Sequence, residues 1–302
     1  MEKILIAGGS GLVGQHLCNL LQQKGVYEVS LLSRNPKSTS KFKHYFWDVE
    51  KIKADDEAFH NVNVIVNLAG ANVAGQRWTE AYKNEILQSR LKSTNLLFEK
   101  VKTLETKPKL YLTASAIGYY ESKQAAVSEN DSSGKDFLSQ VCLAWEEAAA
   151  KFSTLDIPVG VLRIGLVMSK SGGFLEKMQL PLQLGLLSPM GTGLQMMSWI
   201  HIDDLCNMFV WLIENPNKAA SYNAVAPEIV NNKVMMKTLA KVNHKPFFLP
   251  NIPEFALKLA LGEMSTEVLS SHAVSAKKIL DAGFNLQFPS LENALKNIYA
   301  KN

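Results

Sequence analysis

The stretch Ala7-Gly8-Gly9-Ser10-Gly11-Leu12-Val13-Gly14 carries the residue types that hold a pyrophosphate. Glycines at 8 and 11 let the backbone turn sharply and approach an anion, and a glycine at 14 lets a following helix lie close against the preceding strand. The N-terminus of such a helix offers unpaired N–H groups and the positive end of its dipole. The spacing is G-x-x-G-x-x-G, not G-x-G-x-x-G. Its candidate cofactor-binding residues are Gly8, Ser10, Gly11, Leu12, Val13 and Gly14. Further on, Ser33-Arg34 closes an apolar run with no carboxylate beside it. A dinucleotide fold uses this place for an acid on the ribose 2′-hydroxyl or an arginine on a 2′-phosphate. Arg34 therefore points to NADP over NAD, since a guanidinium forks onto phosphate with charge-assisted hydrogen bonds.

These groups need a strand–turn–helix frame, and the chain supplies it. Lys3 to Ile6 has strand character, and Leu17, Leu20 and Leu21 recur at helical spacing up to Gly25. Glu28 to Leu32 reads as a second strand. Lys37 to Phe46 reads as a loop running into a short strand that ends at Trp47-Asp48-Val49. Asp48 either accepts from an adenine amino group or forms a turn. Val62 to Gly70 is a near-continuous apolar run, as in a parallel strand buried on both faces, and it delivers Leu68, Ala69 and Gly70 to the cofactor edge. Trp78 to about Val101 reads as one long helix, Leu110 to Ala114 as a strand delivering Ser115, Gly134 to Phe152 as a helix, and Val159 to Arg163 as a strand.

Alternating strands and helices predict an α/β fold, a Rossmann-like doubly wound parallel sheet with right-handed crossovers. After Gly165 the alternation loosens, and residues 172–193 read as an irregular apolar wall for a pocket. Asp203 or Asp204 is the expected cap of a helix over Leu205 to Glu214. From Val225 the chain reads as mostly helical, with Ser275 and Ser290 as helix caps and Gly283 closing a helix. The expected division is a nucleotide-binding domain over 1–224, with 166–198 on the substrate side, and a small, mostly helical lobe over 225–302.

Composition narrows the function classes. A net charge of +4 over 302 residues, with no basic tract, argues against a nucleic-acid partner. The longest uncharged stretch, Met178 to Ile202, is broken by prolines and glycines and is a poor membrane span. Cys18, Cys142 and Cys206 are far apart and odd in number, which suits free thiols in a reducing compartment better than disulfides or a metal site. With the N-terminus entering its first strand at once, the expected location is the cytoplasm.

Several motifs together resemble the atypical extended branch of the short-chain dehydrogenase/reductase superfamily usually called the epimerase family (NAD(P)-dependent epimerase/dehydratase-like). They are Asn67-Leu68-Ala69-Gly70 on to Arg77-Trp78 and Ser89-Arg90, Ser115-Ala116-Ile117-Gly118-Tyr119-Tyr120, and Phe137-Leu138-Ser139 to Trp145-Glu146. Trp199 to Asp204, Leu261 to Met264 and Ala282-Gly283-Phe284 complete the set. The resemblance implies an NADP-binding Rossmann fold with its own C-terminal domain. It also implies cofactor contacts at Glu85, Arg90 and Ser139, besides those at the glycine turn, Ser33-Arg34 and Leu68-Ala69. Glu85 and Arg90 are five apart, roughly 140° around a helix, so spacing alone does not join them.

The superfamily's chemistry uses a Ser or Thr with a Tyr and a Lys four apart, the Lys lowering the phenol pKa. Around Ser139 to Leu143 this chain has neither Tyr nor Lys, and its one Y-x-x-x-K match, Tyr119 to Lys123, lies too close to Ser115. The expected catalytic set is Ser115 as a donor to a substrate oxygen, with Tyr119 or Tyr120 as proton donor. The resulting expectation is an NADP(H)-binding oxidoreductase or epimerase-like enzyme acting on a small molecule. The alternative is a non-catalytic NADP(H)-binding sensor or interaction protein, which the missing pair favours.

Overall fold

The structure, a computed structural model, describes residues 1–36 and 40–300. The start of the loop expected from Lys37 lies outside the described residues. The elements in chain order are β1 (Glu2–Ala7), α1 (Leu12–Lys24), β2 (Tyr27–Ser33), β3 (Lys43–Asp48), β4 (Lys53–Ala54), β5 (Val64–Asn67) and α2 (Glu80–Lys102). Then come β6 (Leu110–Ala116), β7 (Lys123–Val127), α3 (Phe137–Ala150), β8 (Val159–Ile164), β9 (Leu166–Met168), α4 (Gly173–Gln183), β10 (Met196–Met197), β11 (Trp199–His201) and α5 (Ile202–Glu214). The remainder is β12 (Ser221–Ala224), β13 (Val230–Asn231), α6 (Asn232–Val242), α7 (Glu254–Leu261), α8 (Ser265–Leu269), β14 (His272–Val274), α9 (Lys277–Asp281) and α10 (Leu291–Tyr299).

The main sheet has the order β12-β8-β6-β5-β1-β2-β3-β4, parallel throughout except for the edge strand β4. The strand order reverses at β1, between β2 and β5, which puts the glycine turn at the crevice where nucleotides bind in such sheets. β1, β5 and β6 are the most apolar strands and lie buried between helical layers. One face packs on α1 and α5, with Leu17, Leu21, Leu205 and Phe209 fully buried. The other packs on α2, α3 and the turn after it, with Leu97, Val101, Ala149 and Phe152 against Ile65 and Tyr111.

A smaller sheet, β13-β10-β14-β7, joins the C-terminal residues to two strands from earlier in the chain. Asp204, fully buried, accepts the backbone N–H groups of Gln287 (2.7 Å) and Phe288 (2.9 Å) and ties the C-terminal segment to α5. Arg77 holds α7 by donating to the carbonyls of Leu259 and Ala260.

Three expectations need correction. Residues 172–193 are not wholly irregular, because α4 occupies Gly173–Gln183 with Pro181 inside it. Leu175 and Leu182, seven apart on one face, are buried in the C-terminal core, and a proline this near the helix end removes only one hydrogen bond. The cap of α5 is His201, whose Nδ1 accepts from Asp203 N–H at 3.1 Å; the two aspartates lie in the first turn. Ser290 precedes α10 without a side-chain cap, and Glu228 accepts the Leu291 N–H instead.

Candidate functional site

At the end of β1 the chain turns through Gly8, whose φ of +81° few other residues adopt. A Cβ there would stand 2.6 Å from the Leu68 carbonyl carbon, so the turn and the end of β5 touch backbone to backbone. Gly11 N–H donates to Gly8 O at 3.1 Å, and Gly11 is the cap residue of α1. It has no side chain to satisfy the first N–H groups of that helix, so Leu12 and Val13 present theirs outward beside Ser10. At Gly14 a Cβ would lie 2.3 Å from Gly8 O, so only glycine lets α1 start this close to the strand. Gly11 differs. Its φ is −75° and a Cβ would meet only Gly8 O, at 3.4 Å, so its value lies in the space it leaves open rather than in its backbone angle.

The other candidate cofactor residues divide. Ser33 ends β2 and Arg34 follows it, exposed, at the same sheet edge as the glycine turn. Asp48 ends β3, where its Oδ1 accepts from the N–H groups of Glu50 (3.0 Å) and Lys51 (3.2 Å), so the turn-forming role is present. Leu68, Ala69 and Gly70 follow β5. Their position is set by buried Asn67, which donates to Thr94 and Tyr111 hydroxyls and accepts from Ala69 N–H.

Arg90 reaches this edge from α2. It donates to the carbonyls of Ala71 (3.1 Å) and Ile86 (2.8 Å) and stacks 5.0 Å from the Trp145 ring, and a Cβ on Gly70 would come within 3.0 Å of its guanidinium. Burial pulls its pKa down, and among the described residues it has no carboxylate in ion-pair range, as suits a cation waiting for an anion. Glu85, on the opposite side of the same helix, is exposed and is not brought to Arg90. Ser139 is fully buried: its hydroxyl bonds Gly118 O (2.9 Å) and Asp136 Oδ2 (3.0 Å) and helps start α3. The structure thus places Ser139 at the start of α3, bonded to Gly118 and Asp136.

The expected catalytic residues form a different unit. Ser115 ends β6 and donates to Glu146 Oε1 at 2.7 Å. Glu146, from α3, grips Arg163 on β8 through two bonds of 2.9 and 2.8 Å. Arg163 donates to the Tyr120 hydroxyl (2.8 Å), which itself donates to Asn223 Oδ1 (2.7 Å) on β12. Burial works against the Arg163 charge, but the Glu146 carboxylate outweighs it and holds the guanidinium protonated. Tyr120 is 1% exposed, and burial pushes its phenol up to about 12 despite the opposing pull of Arg163. The Tyr120 hydroxyl is thus engaged inside the protein by Arg163 and Asn223. Ser115 is nearly as buried, and its proton already serves Glu146.

Tyr119 remains half-buried, with the Arg163 guanidinium 3.6 Å from its ring centre. Lys123 begins β7 and pairs with Asp131 at 3.4 Å, so the Y-x-x-x-K match is not a helical pair. The Glu146–Arg163–Asn223 part of the network was missed from sequence, although an arginine inside the apolar run Val159 to Ile164 was its signal. A cleft of about 440 Å³ separates the nucleotide-binding side, at Trp78, Asp136 and Phe137, from the C-terminal segment, at Glu263, Glu267 and His272.

Comparison with known proteins agrees with this architecture. The model of the NAD dependent epimerase/dehydratase family matches residues 4–229, and a domain of unknown function, DUF1731, matches 252–298. Epimerase family protein YfhF of Bacillus subtilis is 35% identical over 300 residues, covering 98% of each chain. Epimerase family protein SH2119 of Staphylococcus haemolyticus is 34% identical over 302 residues, covering 99% of each. The crystal structure of human epimerase family protein SDR39U1 (isoform2) with NADPH superposes with a TM-score of 0.87 at 30% identity over 98% of each chain. UDP-glucuronic acid 4-epimerase from Bacillus cereus, at 19% identity and a TM-score of 0.78, shares the fold. The glycine turn, the parallel sheet and the matched C-terminal segment together make this chain a member of the NAD dependent epimerase/dehydratase family.

Proposed function

We propose that this protein binds NADP(H) along the carboxyl edge of β2, β1 and β5 and acts as an oxidoreductase or epimerase-like enzyme on a small molecule held in the cleft. The observation that carries the reading is the glycine turn, where the uncapped N-terminus of α1 faces open space beside Gly11. Arg90, a half-buried cation without a carboxylate in ion-pair range among the described residues, adds a second anion-seeking group at the end of β5. The NADPH in the human relative supports the same cofactor. A site of this kind fits the group: Ser10 to Val13 would take the pyrophosphate and Ser33-Arg34 the 2′-phosphate. When bound, the nicotinamide supplies or accepts a hydride. The protein's own part is to hold the cofactor against the ends of β5 and β6, with Tyr119 as the proton donor and the Glu146–Arg163 pair fixing its ring.

Among the described residues no helix is long and apolar enough to cross a membrane. Three buried free thiols support a reducing, cytoplasmic setting. A second reading, a non-catalytic NADP(H) sensor, is favoured by the locked state of Ser115 and Tyr120.

Two measurements test the proposal. Arg34→Ala should lower NADPH affinity about tenfold or more, the worth of one hydrogen bond to a charged group, while NADH affinity stays level. Equal losses for both cofactors in calorimetry would take Arg34 off the 2′-phosphate. Exchange of hydride label between NADPH and a metabolite extract, present in the parent and lost in Tyr119→Phe, separates the enzyme from the sensor.

A further inference from the structure

The cleft contains charged groups that the cofactor site leaves unused. Asp136 caps α3, accepting from Ser139 N–H at 2.9 Å and from its hydroxyl at 3.0 Å. Glu263 is neutralised by Lys83 at 3.0 Å, and Lys83 also pairs with Glu80 at 2.7 Å on the rim. Glu267 has no such cation: among the described residues no lysine or arginine lies within ion-pair range of it. Its one basic neighbour is His272, Nε2 standing 3.8 Å from Oε1.

His272 is more than nine-tenths buried and lines the cleft, yet neither ring nitrogen has a hydrogen bond. Burial holds it below the usual histidine range, so at neutral pH it offers a lone pair and an N–H but no charge. Trp78 and Phe137, packed edge to face at 5.3 Å, add an aromatic wall. The balance is two carboxylates without a fixed counter-ion, one unpaired imidazole and the Trp78–Phe137 ring pair, with Lys83 Nζ 5.6 Å from the Phe137 ring centre. Such a set complements a cation.

We propose that this cleft binds a compact organic cation, a protonated amine of metabolite size. Glu267 and Asp136 supply the counter-charge, His272 accepts an N–H, and the Trp78–Phe137 wall covers the apolar part. The inference deepens the proposed function and rests on it for the cleft's role as the substrate side.

Calorimetry on the full chain, with and without saturating NADPH, tests the proposal with three indoles of one size. Tryptamine should bind, tryptophol at least tenfold more weakly, and indole-3-acetate not measurably. Glu267→Gln, an isosteric change at a partly exposed position, should cost tryptamine at least tenfold and leave NADPH affinity unchanged. Asp136→Asn keeps a helix cap and should cost several-fold.

A pH series supplies an independent reading. Burial, with Asp136 adding repulsion, raises Glu267 to about 7. Tryptamine affinity should therefore climb from pH 6 to 8 in the parent and stay flat in Glu267→Gln. The other groups facing Glu267 are Asp136 on the cap of α3, His272 on β14, and the Glu263–Lys83–Glu80 cluster, and all of them remain in that variant. Indole-3-acetate binding as well as tryptamine, no tryptamine binding, or an unchanged tryptamine affinity in Glu267→Gln would each overturn the proposal. Failure of the parent to bind NADPH would instead overturn the functional reading, leaving the tryptamine result to stand alone.

Discussion

Gly11→Val should give a folded protein that no longer binds NADPH, whereas Gly14→Val should fail to fold normally. At Gly11 the backbone already sits at φ −75° and ψ 172°, and a Cβ meets only Gly8 O at 3.4 Å. The cost to the fold is the poorer helix cap, about 1 kcal/mol. The branched side chain would instead fill the space before the Leu12 and Val13 N–H groups. Losing two hydrogen bonds to a charged group, at about 1.5 kcal/mol or more each, weakens binding roughly a hundredfold or beyond. At Gly14 a Cβ would lie 2.3 Å from Gly8 O and 2.7 Å from Gly9 Cα, both backbone atoms with nowhere to go. Urea titration and NADPH calorimetry on the two variants separate the cases. Normal NADPH binding in Gly11→Val would reduce the motif to a turn, and normal stability in Gly14→Val would contradict the close approach of α1 to the turn.

The contrast shows what the sequence could convey. Glycine spacing announced a strand–turn–helix, and the apolar runs around Ile4, Val64 and Leu110 announced parallel strands, because burial on both faces leaves an unmistakable pattern. Which glycine is needed for its backbone angle and which for open space was not legible, since both requirements select the same residue. Of the two glycines expected to let the backbone turn sharply, Gly8 has the positive φ and Gly11 does not.

Arg90 became readable only through the family resemblance, because its place depends on Gly70 and Trp145, brought from two other elements. Ser139 was likewise named only by the resemblance, and its hydroxyl stands within hydrogen-bond distance of Gly118 O and Asp136 Oδ2. Short-range signals name residue types at an edge. They cannot say which hydroxyl is left free once the elements have packed. The helix α4 was obscured for a local reason, as paired glycines and Pro181 are strong breakers when read without Leu175 and Leu182 beneath them.

The network beneath Ser115 makes the second large prediction. Glu146→Ala should lower stability by about 3–5 kcal/mol, because it strands the Arg163 guanidinium, whose side chain is 6% exposed, without its carboxylate. Replacing both partners, in Glu146→Leu with Arg163→Met, should recover much of that loss, since an apolar pair of similar volume leaves no buried charge. Tyr120→Phe would leave Arg163 and Asn223 each short of one partner and should cost about 1–3 kcal/mol while NADPH affinity holds. Ser115→Ala removes one donor to Glu146 and should cost about 1 kcal/mol. Denaturant curves for the four variants, read beside label exchange from NADPH, decide what this unit is for. A Tyr120→Phe protein with full stability and no exchange would make Tyr120 the proton donor. Loss of stability with exchange retained would leave Tyr119 as the phenol that faces the substrate, held by an arginine whose charge the fold keeps through Glu146.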